Sequence, residues 1–188
     1  MSGIKPVIRE LREAVLGGMA HAKDKLHQFA DILDGHFDDV IRKVEQRDVF
    51  TDTPGPVREF DTGTYRDLKA RETVGDALQH DHIPSSAALL RARENELGRK
   101  LTPAERRALH GDATAVEISD LLHSMSRTYK GRNTPTQIDL DAGDLRAAME
   151  RDLRTLRKNL LEDGRLSPNQ IDSLMQKIRD LNLKRGIG

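Results

Sequence analysis

Gln79-His80-Asp81-His82-Ile83-Pro84 is the stretch on which the reading of this chain turns. Three titratable side chains stand in consecutive positions, and a proline stops whatever element carries them. Val74 to His82 reads as a short strand or hairpin, with Gly75-Asp76 as its turn and Ile83-Pro84 as its end. Neighbouring side chains of a strand point to opposite faces, so His80 and His82 share one face and Asp81 takes the other. A site that uses Asp81 and His82 together therefore needs a distorted strand end, and the proline that follows is compatible with one.

The flanking sequence supplies a second strand and a helix. Ala113 to Ile118 alternates Ala113, Ala115 and Glu117 against Thr114, Val116 and Ile118, the pattern of a β-strand. Ser119-Asp120 then caps a helix from Leu121 to about Arg127 that carries His123 in its first turn. Thr128 to Asn133 is a polar, basic loop. Strand, strand and helix together make a ββα arrangement. Between the strands, Ser85-Ser86 caps a helix over 87–97 that Gly98 closes. Thr102-Pro103-Ala104-Glu105 is a capping box with proline at the first helical position, and the same grammar returns at Thr134-Pro135 and Ser167-Pro168. Ile138, Ala142, Leu145, Met149, Leu153, Leu156 and Leu160 form a helical stripe, and a last helix presents Ile171, Leu174, Ile178 and Leu181. These C-terminal helices read as a hairpin that covers the small β-element.

On the N-terminal side, residues 4 to 48 read as two helices in a hairpin, with a heptad-like seam at Leu26, Phe29, Leu33, Phe37, Val40 and Val44. Pro54-Gly55-Pro56 breaks the pattern and is a stiff, extended spacer. The expected organisation is a helical linker or docking segment over 1–52 and a catalytic domain over 53–188. The fold expected is mainly α with a small β-element: a ββα core covered by helices and preceded by the N-terminal helical hairpin. Aromatic residues make up only 3% of the chain and Trp is absent, so the core is built mostly of Leu and Ala, as in helical packing.

Lysine plus arginine and aspartate plus glutamate number 31 each, which argues against a generally basic nucleic-acid binder. Any phosphate contact has to be local. With no cysteine there are no disulfides and no thiolate metal sites. No apolar run approaches the roughly 20 residues of a membrane span, and the N-terminus lacks the apolar core of a secretory signal. Export then requires another route or another part of a longer polypeptide.

The residue types in this pattern fit one chemistry. A carboxylate from the first strand (Asp81) and an imidazole from the helix (His123) can hold one divalent ion: Mg²⁺ by its preference for oxygen, with Zn²⁺, Mn²⁺ and Ni²⁺ left open by the imidazole. Such an ion stabilises the leaving oxygen in phosphodiester hydrolysis. His82 can take a proton from water, Arg132 can neutralise the phosphate, and Asn133 can orient the base or complete the metal shell. The bland alternatives are an exposed strand histidine at His80, a turn cap at Asp81, a surface or core histidine at His123 and turn chemistry at Arg132-Asn133. His110 ends a helix and reads as compensation of its dipole.

The segments Phe60 to Tyr65, Val74 to Ser85, Leu101 to Glu105, Ala113 to Ile118, His123 and Arg127 to Thr134 resemble, in order, the nuclease toxin domains at the C-termini of bacterial polymorphic toxins. Those domains belong to the broad HNH/endonuclease VII (ββα-metal) group. The resemblance covers roughly 58–160. It implies Asp81 as metal ligand, His82 as general base, His123 as second metal ligand and His80 as an extra imidazole that ligates metal or binds phosphate. Asn133 falls after the helix, not between the strands as in simple HNH motifs. The resemblance also implies a divalent metal cofactor, a DNA substrate in preference to RNA, a cognate immunity protein, a delivery scaffold joined through 1–52, and action in the cytoplasm of a target cell. Two other readings predict different behaviour: a non-catalytic helical adaptor or immunity-type protein, and a ribonuclease toxin on the same scaffold.

Overall fold

The computed structural model describes residues 55–188. The N-terminal hairpin, its heptad-like seam and the proposed docking role of 1–52 lie outside the described residues. Three short strands and seven α-helices follow one another: β1 (Thr62–Thr64), α1 (Tyr65–Arg71), β2 (Leu78–His82), α2 (Ser86–Leu97), α3 (Pro103–Asp112), β3 (Thr114–Ser119), α4 (Asp120–Ser124), α5 (Pro135–Gly143), α6 (Leu145–Asp163) and α7 (Pro168–Leu183). This is the expected mainly α architecture with a small β-element.

The sheet has the order β1-β3-β2, and both pairings are antiparallel. β3 lies in the centre, and its residues Thr114 to Ile118 are all buried. Its pleat serves two cores. Val116 and Ile118 face Leu122 of α4, Leu153, Leu156 and Leu160 of α6, and Ile171, Leu174 and Ile178 of α7. Ala115, on the other face, packs with Leu68 of α1, Val57 and Tyr65. The helical hairpin α6–α7 thus covers one face of the sheet and α1 the other. The side chain of Asn182 ties α7 to the end of β2 by donating to the Ile83 carbonyl at 2.9 Å. The Ile83–Pro84 peptide is cis.

The helix starts lie where the sequence puts them. Ser85, Thr102, Thr134 and Ser167 each accept a backbone N–H as N-cap, and Gly98 ends α2 in the left-handed conformation. Three boundaries differ from expectation. The stripe from Ile138 to Leu160 is split at Asp144, which closes α5 and caps α6 by accepting from Ala147 N at 2.9 Å. Gly143-Asp144 explains the break: glycine is a poor helix interior residue, and aspartate competes for the backbone as a cap. Helix α4 is also shorter than expected, so His123 sits in its last turn. Val74 to Ala77 forms turns, and only Leu78 to His82 is strand.

The α3 start yields a pH test. Glu105 accepts from Thr102 N at 2.8 Å and from Arg99 at 2.7 and 3.0 Å. The Arg99 guanidinium, with the Thr102 amide and hydroxyl, lowers its pKa to about 2 from 4.5. A depressed carboxylate stabilises the fold above its unfolded pKa and loses that contribution as pH falls through the folded one. The melting temperature of the Glu105→Gln variant should therefore lie below wild type at pH 7, and the gap should close between about pH 4.5 and pH 2. Thermal melts followed by circular dichroism across that range check it.

Candidate active site

The register of β2 on β3 decides which side chains meet. Asp81 lies opposite Val116 and shares the face that α4 and α6 cover; His80 and His82 lie opposite Glu117 and Ala115 and share the face that α1 covers. Asp81 and His82 are therefore neighbours in sequence whose side chains leave the strand on opposite sides. Both residues nevertheless border a small cleft with Ser126, Arg127, Thr128 and Asp152.

On the first face, Asp81 Oδ1 faces His123 Nε2 at 3.8 Å. Asp81 Oδ2 accepts the hydroxyl of Ser126. Burial pushes the Asp81 carboxyl up from the usual carboxylate range, and the Ser126 hydroxyl and His123 oppose that rise. His123 also makes an edge-on contact with the Tyr129 ring at 5.0 Å. Lys130 Nζ lies 4.8 Å and the Arg132 guanidinium 5.6 Å from the centre of that ring. The Arg132 guanidinium donates to the Ser124 carbonyl at the end of α4. Asn133 ends the 3₁₀ turn Lys130–Arg132, and its buried Oδ1 has no partner.

On the second face, three imidazoles gather around Tyr65. Its ring stacks on His82 at 4.9 Å and lies 4.4 Å from His110 and 5.3 Å from His80. His82 Nε2 approaches the His110 carbonyl at 3.4 Å, and His110 Nδ1 bonds to Ser86 Oγ at 2.7 Å. Burial, with the neighbouring His110, lowers the His82 pKa to about 4, so the ring is neutral at pH 7. Burial also lowers that of His80. His80 Nε2 stands 3.5 Å from Glu117, whose carboxyl burial pushes up to about 7. His80 thus belongs to this cluster and does not join Asp81 and His123. His110 is part of the same stack, beyond any role in compensating a helix dipole.

Behind Asp81 lies a network that the sequence reading missed. Arg127 donates to Asp152 at 2.9 Å and to Asp141 at 2.7 Å, and Arg151 donates to Asp141 at 2.8 Å. Asp141 is fully buried. Burial raises the Asp152 pKa to about 7 against the pull of Arg127, with the nearby Asp81 adding to the rise. A signal was present: Asp141 and Asp152 stand three residues after Ile138 and Met149, inside the apolar stripe, where a carboxylate needs a buried partner. Ser126, Tyr65 and Glu117 carry no comparable mark in the sequence.

Among the described residues no three His, Cys, Asp or Glu side chains gather as a metal-holding group. The donor set at Asp81 and His123 is nevertheless compatible with a shared ion. Adjacent ligands bonded at about 2.1 Å stand roughly 3.0–3.4 Å apart in octahedral or tetrahedral geometry, so these two, at 3.8 Å, would draw together a little to share it. The pair would supply one oxygen and one nitrogen, leaving the other positions to water and phosphate oxygens, as is common for Mg²⁺.

Over 131 residues, 70% of this chain, the sequence is 50% identical to a protein named Deoxyribonuclease CdiA from Dickeya dadantii (strain 3937). The chain spans only 4% of that protein's length. No protein-family model and no solved structure matches. The relative bears out the resemblance to the nuclease domains of polymorphic toxins.

Replacing Arg127 by Ala should destabilise the fold by about 3–5 kcal/mol, because two buried carboxylates lose their shared cation. The loss should be smaller at pH 5 than at pH 8, since Asp152 then meets the missing charge by protonating. Urea unfolding at the two pH values measures both effects.

Proposed function

We infer that this chain, which belongs among the nuclease toxin domains of bacterial polymorphic toxins, is a metal-dependent endonuclease of HNH type that hydrolyses phosphodiester bonds in DNA. The observation that carries this reading is the Asp81–His123 pair at 3.8 Å, at the end of two paired strands, in a chain of which 131 residues are 50% identical to a segment of a protein named a deoxyribonuclease. β2 pairs with β3 and α4 follows β3 directly, which supports a ββα assignment with α2 and α3 inserted between the two strands.

Asp81 and His123 would hold the divalent ion, Mg²⁺, Mn²⁺, Ni²⁺ or Zn²⁺. When bound it would polarise a phosphoryl oxygen and neutralise charge on the leaving oxygen. His82 is the base. With its Nε2–H donating to the His110 carbonyl, Nδ1 keeps the lone pair that takes a proton from the attacking water. The stack of Tyr65 and His110 around His82 restrains that ring. Lys130 and Arg132, exposed and close to the Tyr129 ring, are suited to meet the backbone phosphates flanking the scissile bond. In this reading His80 binds no metal, and Asn133 shapes the loop. A cognate immunity protein, a delivery scaffold met through 1–52 and action in the target-cell cytoplasm belong to the same proposal.

The test is cleavage of plasmid DNA and of RNA by the full chain with each of the four metals, with and without EDTA. DNA should be cut only with metal present, and Asp81→Ala, His123→Ala and His82→Ala should each lower the rate at least about 100-fold. A wild type that cuts neither nucleic acid, or variants as active as wild type, would sink the reading. Cleavage of RNA that persists in EDTA would assign the fold to a ribonuclease toxin instead.

A further inference from the structure

The second oxygen of Asp81 is already engaged. Ser126, itself buried, donates its hydroxyl to Asp81 Oδ2, which leaves Oδ1 as the oxygen turned toward His123. Ser126 touches the other member of the pair as well, since its backbone N–H donates to the His123 carbonyl at 3.0 Å. One residue therefore ties the strand carrying Asp81 to the helical turn carrying His123.

The position of Ser126 is itself fixed from outside. The residue before it, Met125, has its carbonyl held by Asn159 Nδ2 of α6 at 3.3 Å. The residue after it, Arg127, is clamped between Asp152 of α6 at 2.9 Å and Asp141 of α5 at 2.7 Å. A three-residue segment with no regular structure is thus pinned on both sides to helices, and its central hydroxyl points at a carboxylate in the cleft.

We propose that Ser126 is a positioning residue for the metal site, orienting the Asp81 carboxylate so that Oδ1, paired with His123 Nε2, is presented to the ion. The inference rests on the metal reading of Asp81 and His123. Outer partners of this kind fix the lone pair a ligand offers, and their loss commonly weakens metal binding about 10–100-fold. Without the hydroxyl the carboxylate would turn freely between its two oxygens, and the separation from His123 would no longer be held.

The experiment is calorimetric titration of the full chain with Mn²⁺, in a His82→Ala background that removes cleavage as a complication. Ser126→Thr and Ser126→Val are compared, two side chains of the same shape that differ by the hydroxyl alone, with Ser126→Ala beside them. Circular dichroism melts identify which variants are folded. Ser126→Thr should bind Mn²⁺ close to the parent, and Ser126→Val about 10–100-fold more weakly. In the catalytically intact background, cleavage by Ser126→Val should be recovered by raising Mn²⁺, with the half-saturating concentration shifted and the maximal rate near wild type. Equal affinity in the Thr and Val variants would overturn the positioning role while leaving the metal reading intact. A parent chain that binds no Mn²⁺ would overturn both, and the two failures are told apart by the parent titration alone.

Discussion

The antiparallel pairing of Leu78–His82 with Thr114–Ser119 is the constraint from which the rest of the molecule follows. Its register puts Val116 and Ile118 on one face and Ala115 and Glu117 on the other, and the helices choose sides accordingly. The two candidate functional groups of β2 are then forced apart. Asp81 is delivered into the half of the molecule built by α4 and α6, and His82 into the half built by α1 and α3. In the proposed reaction the two would have to act on one substrate from opposite faces of the strand, close to its end.

Burial gives the two halves opposite electrostatic tasks. Around Tyr65 the imidazoles are kept neutral, because no cation or anion can be accommodated there without loss of hydration. That keeps His82 in its neutral form but makes it a weak base, so its proposed role would rely on position and on a polarised substrate more than on intrinsic basicity. Behind Asp81 the solution is charge pairing. Arg127 and Arg151 share Asp141, and Arg127 also meets Asp152. Buried ion pairs of this sort add little net stability, yet they allow few alternative arrangements. Here they hold the loop that carries Ser126, close to the carboxylate it orients. The neutral overall charge fits this picture: many of the cations are paired with carboxylates, while Lys130 and Arg132 flank an aromatic ring beside His123.

Much of this was legible in the amino-acid sequence because the responsible forces are local. Thr102-Pro103, Thr134-Pro135 and Ser167-Pro168 start helices through hydrogen bonds that span three residues. The alternation in Ala113–Ile118 and the separation of Asp81 from His80 and His82 follow from the two-residue period of any strand. The break at Asp144 was obscured because the apolar stripe keeps its phase across it, and hydrophobic periodicity outweighs a single cap when a sequence is scanned.

What the sequence by itself determined was the strands β2 and β3, most of the helix starts and the candidacy of Asp81 and His123 as oxygen and nitrogen donors. Only the tertiary structure decided that His82 stands in a stack with Tyr65 and His110, and that Ser126 and Arg127 support Asp81 from the far side. These contacts join residues 17 to 45 positions apart. They depend on strand register and on which helix packs against which face, and neither is encoded within the span of a local hydrogen bond.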